Sequence, residues 1–246
     1  MTLLYINYHI FLENGQLNLR LFDEKVTVFA ASLPWEAQYL SEKIFKMENI
    51  VSKDGFSISA GYWRERPVLV LVSGVGSARA TLAHQFVHSN FNVKRVVIFG
   101  LAGALRKGMK VGDIVIPEAA GLVGGEQADL KPLEMVPTAH DYDGDVFCGG
   151  VVLQSDKPLG PREKMALAVG NAVCVDMESH TASSIARLHG VPCSVIRAIS
   201  DEIDTVVDLA KPKGDARFMA AAKVAAERNS IFIEKAMTAN IGAVLS

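Results

Sequence analysis

The strongest constraint on the fold is an alternation, repeated along most of the chain, of short apolar strand-like runs with segments of helical periodicity. This alternation is the βαβ pattern of a mostly parallel sheet covered by helices, and it predicts an α/β fold. The apolar runs are VTVFAAS, VLVLVSG, RVVIFG, DIVIP, VVLQS, AVCVDM and CSVIRAIS. The predicted helices are Pro34 to about Met47, Ser77 to about Ser89, residues 162–169, Glu178 to Leu188 and residues 215–238.

Residues 1–24 do not follow this pattern. Two apolar-rich stretches flank Glu13-Asn14-Gly15, and Asn-Gly indicates a tight hairpin turn. We therefore expect an N-terminal β-hairpin extension over residues 1–24 and a single domain over residues 25–246, because no Pro/Gly/Ser-rich linker divides the chain. The segment from Ala120 to Gly149 has neither the strand nor the helix periodicity. It predicts an irregular excursion near a site or an interface, or a plain loop.

Composition narrows the class of protein. Of the 246 residues, 50% are apolar and 21% are charged, which indicates a globular core, and the net charge of −2 lacks the basic excess of a nucleic-acid binder. No long apolar run or N-terminal basic region predicts a membrane-spanning segment or a signal peptide. The three cysteines form no CxxC pair and lie in apolar runs, which indicates reduced core thiols and a cytoplasmic protein: Cys148, Cys174 and Cys193.

Two turns rich in small residues follow buried strands and are candidate sites for a phosphate or another nucleophile. The first contains Gly74 and Gly76 in SGVG, and the second contains Gly100, Ala102 and Gly103 in GLAGA. Backbone amides at such turns can receive an anion. Tight turning or close packing of loop on helix explains the same residues. Neither GxGxxG nor GxxxxGK[ST] occurs, which argues against dinucleotide and P-loop sites.

Two carboxylates flank a thioether at the end of the run AVCVDM, namely Asp176 and Glu178 around Met177. A carboxylate there can accept hydrogen bonds from vicinal hydroxyls such as those of a ribose, and the helix N-terminus favours its charge. Helix capping is the alternative explanation. Capping accounts for one acid better than for two.

Charged residues also end the run CSVIRAIS, which a parallel sheet would bury. Arg197 needs an anionic partner there, because an unpaired buried charge is costly, and a purely structural ion pair is the alternative. Asp201 at the strand tip, next to Ser200, is a candidate general acid. Glu36 lies in the first turn of the helix that Pro34 starts, where it is either a site residue or an ordinary dipole-favoured acid.

The histidines give no indication of a metal site. The sequence contains neither HExxH nor a Cys/His cluster with ligand spacing. His84 and His88 lie one helical turn apart, but no third ligand is in view. We therefore predict no metal.

Several strings occur in an order that resembles the nucleoside phosphorylase superfamily: SGVG, FGLAGAL, VGDIVIP, VDMES and RAISDEID. The resemblance runs from about Val26 to Lys235. Within the superfamily the chain is most similar to the adenine-specific nucleosidases of methylthioadenosine and S-adenosylhomocysteine. It is closer still to the phosphorylase-like enzymes of hopanoid biosynthesis. The resemblance implies a three-layer αβα sandwich around a mixed, mostly parallel sheet.

The resemblance also implies roles for individual residues. Asp201 would protonate N7 of a leaving adenine, with Ser200 hydrogen-bonded beside it. Glu178 would hold the 2′ and 3′ hydroxyls while Met177 packs against the ribose. In a nucleosidase, Glu36 and Arg197 would position the nucleophilic water.

A phosphorylase would instead bind phosphate with Arg197 and the amides of the Gly74 and Gly100 turns. The resemblance leaves water or phosphate open as the nucleophile and implies no cofactor other than phosphate as a co-substrate. Charge favours hydrolysis, because a carboxylate such as Glu36 beside a phosphate site lowers affinity, whereas the hopanoid resemblance favours phosphorolysis.

Two departures from the nucleosidase pattern bear on the substrate. Leu101 stands where the nucleosidases have a serine that contacts the nucleophile. The purine-covering loop, usually Ser-Gly-Asp-Ala-Phe-like, is replaced by residues 154–159, which lack the stacking aromatic and leave Ser155 and Leu159 as candidate base contacts. Both departures favour the hopanoid-associated branch, whose substrate carries a bulky apolar group on the 5′ carbon of adenosine.

We therefore predict an enzyme that cleaves the N-glycosidic bond of a 5′-substituted adenosine of the adenosylhopane type and releases adenine. The alternatives are a methylthioadenosine/S-adenosylhomocysteine nucleosidase, a general purine nucleoside phosphorylase, and a non-catalytic nucleoside-binding protein. The prediction requires one cleft that holds Arg197 and the acids Glu36, Glu178 and Asp201, with no two acids more than about 12 Å apart. The family resemblance further implies a homodimer, with residues 120–149 and the hairpin as candidate interface elements.

Overall fold

A computed structural model describes residues 9–13, 16–20, 25–126, 130–136, 142–206 and 215–239. In this part of the chain, twelve strands form one mixed sheet and five helices cover it. The sheet strands are β3 (Val26–Ala31), β4 (Phe45–Lys53), β5 (Phe56–Trp63), β6 (Arg66–Val72), β7 (Val93–Ala104), β8 (Ile114–Ile116), β9 (Ala119–Leu122), β10 (Lys131–Pro132), β11 (Val146–Cys148), β12 (Val151–Gln154), β13 (Ala172–Asp176) and β14 (Cys193–Asp201). The helices are α1 (Pro34–Ser41), α2 (Ser77–Asn90), α3 (Pro161–Leu167), α4 (Ser179–Leu188) and α5 (Ala216–Ala239).

The centre of the sheet is parallel. β3 pairs in parallel with β6 on one side and with β7 on the other, and β7 pairs in parallel with β14. Antiparallel pairing occurs where β5 joins β6 and β4, where β13 meets β7, and where β8 meets β14. The carboxyl ends of the central strands consequently meet at one edge of the sheet, where α/β proteins place their ligands.

Helices cover both faces of the sheet, because alternate residues of the central strands point to opposite sides. Val28 belongs to a core that includes residues of α2 and α4, whereas its neighbour Phe29 belongs to a core that includes residues of α1 and α5. The cores therefore separate three layers, helix, sheet and helix. The expected α/β class and αβα layering are confirmed.

One predicted helix is wrong in extent. The helix that begins at Pro34 ends at Ser41, and the following residues form the hairpin β4–β5, which the sequence analysis missed. β4 is an edge strand with mostly exposed residues, so its sequence carries no apolar alternation. The signal that marks the hairpin is Asp54-Gly55, which occupies its turn with positive φ at both residues.

The region from Ala120 to Gly149 is less irregular than expected. Its described part contains the short strands β10 and β11 and most of β9. β1 (His9–Glu13) and β2 (Gln16–Arg20) pair antiparallel, while the Asn14-Gly15 turn between them lies outside the described residues. The hairpin extension over residues 1–24 and the division at residue 25 stay predictions.

Two of the expected core thiols are buried, Cys174 and Cys193, but Cys148 is exposed at the end of β11. It differs from the expectation because β11 is a short strand that pairs with β8 near the surface. None of the described helices combines the length and the apolar character needed to cross a membrane.

Candidate active site

A cavity of about 1170 Å³ opens at the carboxyl-end edge of the sheet. Its walls come from the carboxyl ends of β3, β6, β7, β13 and β14 and from the turn between β4 and β5. Five acids contribute to its lining. Asp54 lies at the tip of the hairpin, and the other four are the acids that the sequence indicates as candidates: Glu36, Asp176, Glu178 and Asp201.

Glu36 is held at the cavity wall by three backbone N–H groups. Its Oε2 accepts hydrogen bonds from Ser32 (3.1 Å) and Leu33 (2.8 Å), and its Oε1 accepts one from Leu101 (3.1 Å). The bonds to Oε2 close the first turn of α1, so Glu36 caps its own helix and also reaches β7. Burial raises the pKa of Glu36 above its usual value, although Arg197 and these N–H donors oppose the shift.

Gly100 permits the approach of Glu36 to β7. Its φ of +133° lies in the region that favours glycine. A Cβ at this position would lie 2.9 Å from both Arg197 Nη1 and Glu36 Oε1. The small residue predicted to admit a ligand thus admits a protein carboxylate and a guanidinium.

Arg197 lies behind the cavity wall and is fully buried in β14. Its Nη2 contacts Asp176 Oδ2 at 2.6 Å and donates to Ser179 Oγ, and its Nη1 donates to the carbonyl of Phe99. The expectation that Arg197 has an anionic partner is confirmed. The contact with Asp176 is a buried ion pair, and the expected role of Arg197 beside the nucleophile stays a prediction.

Asp176 and Glu178 have separate tasks. Asp176 accepts hydrogen bonds from the N–H groups of Glu178 and Ser179, so it caps α4 in addition to pairing with Arg197. Glu178 points the other way and accepts a 2.7 Å hydrogen bond from the N–H of Gly76. Helix capping therefore explains Asp176 but does not explain Glu178.

The pKa of Glu178 is raised to about 7. Burial is the main cause, and the neighbouring Asp176 carboxylate adds to it, whereas Arg197 and the Gly76 N–H oppose it. In this cluster one guanidinium serves three carboxylates, those of Glu36, Asp176 and Glu178.

Asp201 lies at the other end of the cavity, and both of its carboxylate oxygens are engaged. Oδ1 accepts a 2.7 Å hydrogen bond from the Ser200 hydroxyl, and Oδ2 contacts Lys164 Nζ at 2.6 Å. A Cβ at Gly103 would lie 3.0 Å from Asp201 Oδ2. Glu36 and Asp201 thus contact β7 at positions 100 and 103, which are separated by about 10 Å of strand.

The segment GLAGA, predicted as a turn, lies within β7, which pairs with β14 as far as Gly103. The amides of the two small-residue segments mostly have protein acceptors. The N–H of Gly74 donates to the Ser32 carbonyl, that of Gly76 to Glu178, and that of Leu101 to Glu36. Ala102 and Gly103 line the cavity, as does Gly74. The predicted anion-binding amides at Gly74 and Gly76 are thus already occupied.

The remaining predicted substrate contacts divide into two groups. Met177, Leu159 and Ser200 line the cavity. Ser155 is buried, and its hydroxyl donates to the carbonyl of Lys157 and accepts from the N–H of that residue, so it shapes the loop after β12.

Lys164 is the site residue that the sequence analysis missed. It lies on α3, is 1% exposed, and lines the cavity beside Asp201. The only sequence signal is a lysine on a short helix that carries two other charged residues, and such a lysine is normally solvated. The tip of the β4–β5 hairpin, residues 52–57, also lines the cavity and was missed with the hairpin itself.

In the part of the chain that the structure describes, no group of three or more His, Cys, Asp or Glu side chains is arranged to hold a metal ion. His84 is buried in α2, and burial lowers its pKa to about 3. The prediction of no metal rests on the sequence alone.

Comparison with known proteins places this arrangement in a family. The model of the Phosphorylase superfamily matches residues 25–238. The chain belongs to the phosphorylase superfamily. The resemblance inferred from SGVG, VDMES and RAISD is thus confirmed, and the five acids of the cavity lie within the matched region.

Curated relatives in this superfamily are nucleosidases. A 5′-methylthioadenosine/S-adenosylhomocysteine nucleosidase from Baumannia cicadellinicola is 28% identical over 193 residues, which cover 70% of this chain and 83% of that protein. An aminodeoxyfutalosine nucleosidase from Helicobacter pylori is 26% identical over 168 residues, which cover 58% of this chain and 71% of that protein. The expectation of an enzyme of the purine nucleosidase class is confirmed.

Solved structures of the superfamily share the fold. The 5′-methylthioadenosine/S-adenosylhomocysteine nucleosidase of Neisseria meningitidis in complex with methylthio-immucillin-A has a TM-score of 0.75 at 20% identity, covering 88% of this chain and 100% of that chain. A futalosine hydrolase mutant of Helicobacter pylori has a TM-score of 0.70 at 18% identity, with coverages of 88% and 100%.

Proposed function

We propose that this phosphorylase-superfamily protein hydrolyses the N-glycosidic bond of a 5′-substituted adenine nucleoside and releases adenine. The observation that carries the proposal is a single cavity lined by three acids with different surroundings. Glu36 is fixed by three N–H donors, Glu178 is tied to Gly76, and Asp201 is paired with Lys164. Acids whose environments differ in this way are suited to separate acid, base and binding roles.

Glu36 is suited to the role of general base. Its raised pKa favours proton uptake from a water, and its N–H donors hold the carboxylate in one orientation. As the C1′–N9 bond breaks, its electron pair moves into the purine and C1′ bonds to the water oxygen. Glu36 takes the proton of that water, and Asp201 supplies a proton to N7.

Glu178 is suited to hold the ribose. Its carboxylate lies at the cavity wall near the positive charge of Arg197 and next to Met177, which offers an apolar contact to the sugar. A carboxylate close to the sugar also stabilises the positive charge that develops as the glycosidic bond breaks.

Water is favoured over phosphate as the nucleophile. The carboxylate of Glu36 occupies the N–H of Leu101, and the amides of Gly74 and Gly76 donate to protein oxygens. Arg197 is neutralised by Asp176 at 2.6 Å. A phosphate dianion there would meet buried negative charge, which lowers its affinity.

The cavity supports a large apolar group at the 5′ carbon. Its volume of about 1170 Å³ exceeds the range of about 300–1,000 Å³ typical of ligand pockets. An apolar wall comes from α1, β7 and α5, and its residues are Leu33, Pro34, Trp35, Leu101, Phe218 and Met219. We therefore propose the adenosylhopane type of substrate. The smaller nucleosides in the names of the relatives, methylthioadenosine, S-adenosylhomocysteine and aminodeoxyfutalosine, are the alternatives.

Adenine release, followed by chromatography, tests both parts of the proposal. The substrates are adenosine, methylthioadenosine and a long-chain 5′-alkyl adenosine, each with and without phosphate. We expect release from the alkylated compound without phosphate. A preference for methylthioadenosine would instead assign the activity named for the relatives. A dependence on phosphate would contradict hydrolysis.

Asp201→Asn separates catalysis from mere binding. An enzyme that needs an acid at N7 should lose turnover by about 10²- to 10⁴-fold while it still binds adenosine analogues. A non-catalytic nucleoside-binding protein would show no turnover in either form. Turnover that survives the substitution would remove Asp201 from its proposed role.

A homodimer, which the family resemblance implies, and a cytoplasmic location, which the cysteine usage indicates, remain proposals. The solution mass, measured by light scattering at several concentrations, decides the first. We expect twice the chain mass of 26.5 kDa, and a mass equal to one chain would contradict it.

A further inference from the structure

The buried lysine next to Asp201 has no part in the activity as derived so far. Lys164 lies on α3, and its side chain is 1% exposed at the cavity wall. Its Nζ contacts Asp201 Oδ2 at 2.6 Å and also donates to the carbonyl of Glu202. Its Cδ would lie 3.4 Å from a Cβ at Gly103, so the stem packs against β7.

Stability does not explain an ammonium at this position. Lysines are almost never fully buried, because removing the charge from water is costly. A methionine of similar volume would pack the same stem, and replacing a buried ion pair with apolar residues is often neutral or stabilising. The side chain therefore points to chemistry at its partner Asp201.

The partner is held from both sides. The Ser200 hydroxyl fixes Oδ1 at 2.7 Å, while Lys164 fixes Oδ2, and the Asp201 side chain is 13% exposed toward the cavity. Other cations near this end of the cavity are engaged elsewhere. Lys157 pairs with Glu163, and Lys110 pairs with Glu202.

We propose that Lys164 is a positioning residue for Asp201, which aims its carboxyl group at the purine and stabilises the negative charge left when its proton moves to N7. This inference rests on the proposed function. In the step concerned, the C1′–N9 electron pair moves into the purine, N7 takes the proton of Asp201, and Asp201 becomes a carboxylate. The ammonium keeps its own protons and offsets the new charge, which helps most after proton transfer has begun.

The separate effects on kcat and on KM distinguish this role from a structural one. The ammonium offsets the charge that develops on Asp201 only after proton transfer has begun, so it acts on the chemical step more than on binding of the nucleoside. Lys164→Met should therefore lower kcat by about 10- to 100-fold and change KM by less than about threefold.

Lys110→Met is the matched control. It removes the same charge from a lysine that pairs with Glu202, the residue next to Asp201, at 3.2 Å. Lys110 does not belong to the cavity lining, and its side chain is 66% exposed. We expect wild-type values of kcat and KM.

A double variant tests whether Lys164 acts through Asp201. In the Asp201→Asn background, Lys164→Met should change the residual kcat/KM by less than about threefold, because coupled residues are not additive. A full multiplicative loss, or an effect of Lys164→Met on KM rather than on kcat, would overturn the proposal. Lys164→Gln serves if the Met variant unfolds, and failure of both to fold would show a structural role and overturn it as well.

The two proposals fail in different ways. If the wild-type protein releases adenine from none of the nucleosides, the proposed function fails. Adenine binding by calorimetry then decides the inference about Lys164. Weaker binding on Lys164→Met in the wild-type background, but not in the Asp201→Asn background, supports the positioning role, and equal weakening in both contradicts it.

Discussion

Charge is unevenly distributed among the residues of the cavity. The guanidinium of Arg197 faces Glu36, Asp176 and Glu178. Burial opposes its charge, but these carboxylates more than offset burial and raise the pKa of Arg197. Asp176 holds the direct contact at 2.6 Å. The positive charge of Arg197 therefore only partly compensates the burial of Glu36 and Glu178, which agrees with the raised pKa of each.

Glu178→Gln should change how stability depends on pH. The folded protein raises the pKa of Glu178 from 4.5 to about 7, so the folded state binds more protons than the unfolded state between these values. The free energy of unfolding contributed by this group then falls as pH rises through that window, by on the order of 1–3 kcal/mol. The variant should match the wild type near pH 4.5 and exceed its stability at pH 8.

Urea unfolding at both pH values measures the difference. Glu163→Gln is the control of opposite sign, because the hydrogen bond from Lys157 lowers the pKa of Glu163. The Glu163→Gln variant should be slightly less stable than the wild type at pH 8, because only the wild type is stabilised by the ionised carboxylate. A Glu178→Gln variant less stable than the wild type at pH 8 would contradict the cluster as described.

Gly100→Ala should disable the site. The methyl group would lie 2.9 Å from both Arg197 Nη1 and Glu36 Oε1, at a φ of +133° that favours glycine. We expect a loss of about 2–3 kcal/mol in stability and a fall in kcat of more than about 100-fold through displacement of Glu36.

Gly108→Ala controls for backbone strain alone, since its φ is +91° and a Cβ there meets no atom within 4 Å. It should cost about 1 kcal/mol and leave kcat unchanged. Equal kcat in the two variants would show that the approach of Glu36 to position 100 is not needed for turnover.

At the level of elements, what could be predicted depended on how much of the local sequence is buried. The central strands were found because they are continuous apolar runs, and α4 was found because its apolar residues recur at helical spacing. β4 was missed because an exposed edge strand has no such period. The Glu36, Glu178 and Asp201 positions were found at strand or helix ends, whereas the pairing of Arg197 with Asp176 and of Asp201 with Lys164 depends on contacts far apart in sequence.

The β4–β5 hairpin supplies part of the cavity wall through residues 52–57. Gly55 at its tip has a φ of +81°, so Gly55→Ala strains the turn by about 1 kcal/mol and should move residues 52–57. We expect KM for the preferred nucleoside to rise several-fold while kcat changes little, measured by initial rates of adenine release. Gly190→Ala, with a φ of +65° just after α4, should leave KM unchanged, and a fall in kcat at Gly55→Ala would instead link the hairpin to the chemistry.

For the whole molecule, the division between the N-terminal hairpin and the domain awaits a test. In the described residues β1 and β2 pair with each other in a separate sheet, and the family match begins at residue 25. A chain without residues 1–24 should keep its activity and its Tm within about 2 °C, measured by thermal unfolding. A loss of more than about 5 °C would mean that the hairpin is part of the domain.

Glu36 closes the first turn of α1 and also reaches across to β7. Substituting Glu36 would therefore destabilise the start of α1 as well as remove the general base. The structure of such an inactive variant would differ from that of the intact enzyme. The Glu178 carboxylate, by contrast, accepts a hydrogen bond from one backbone N–H, that of Gly76. A glutamine at position 178 is consequently the better choice for trapping an uncleaved nucleoside in a crystal.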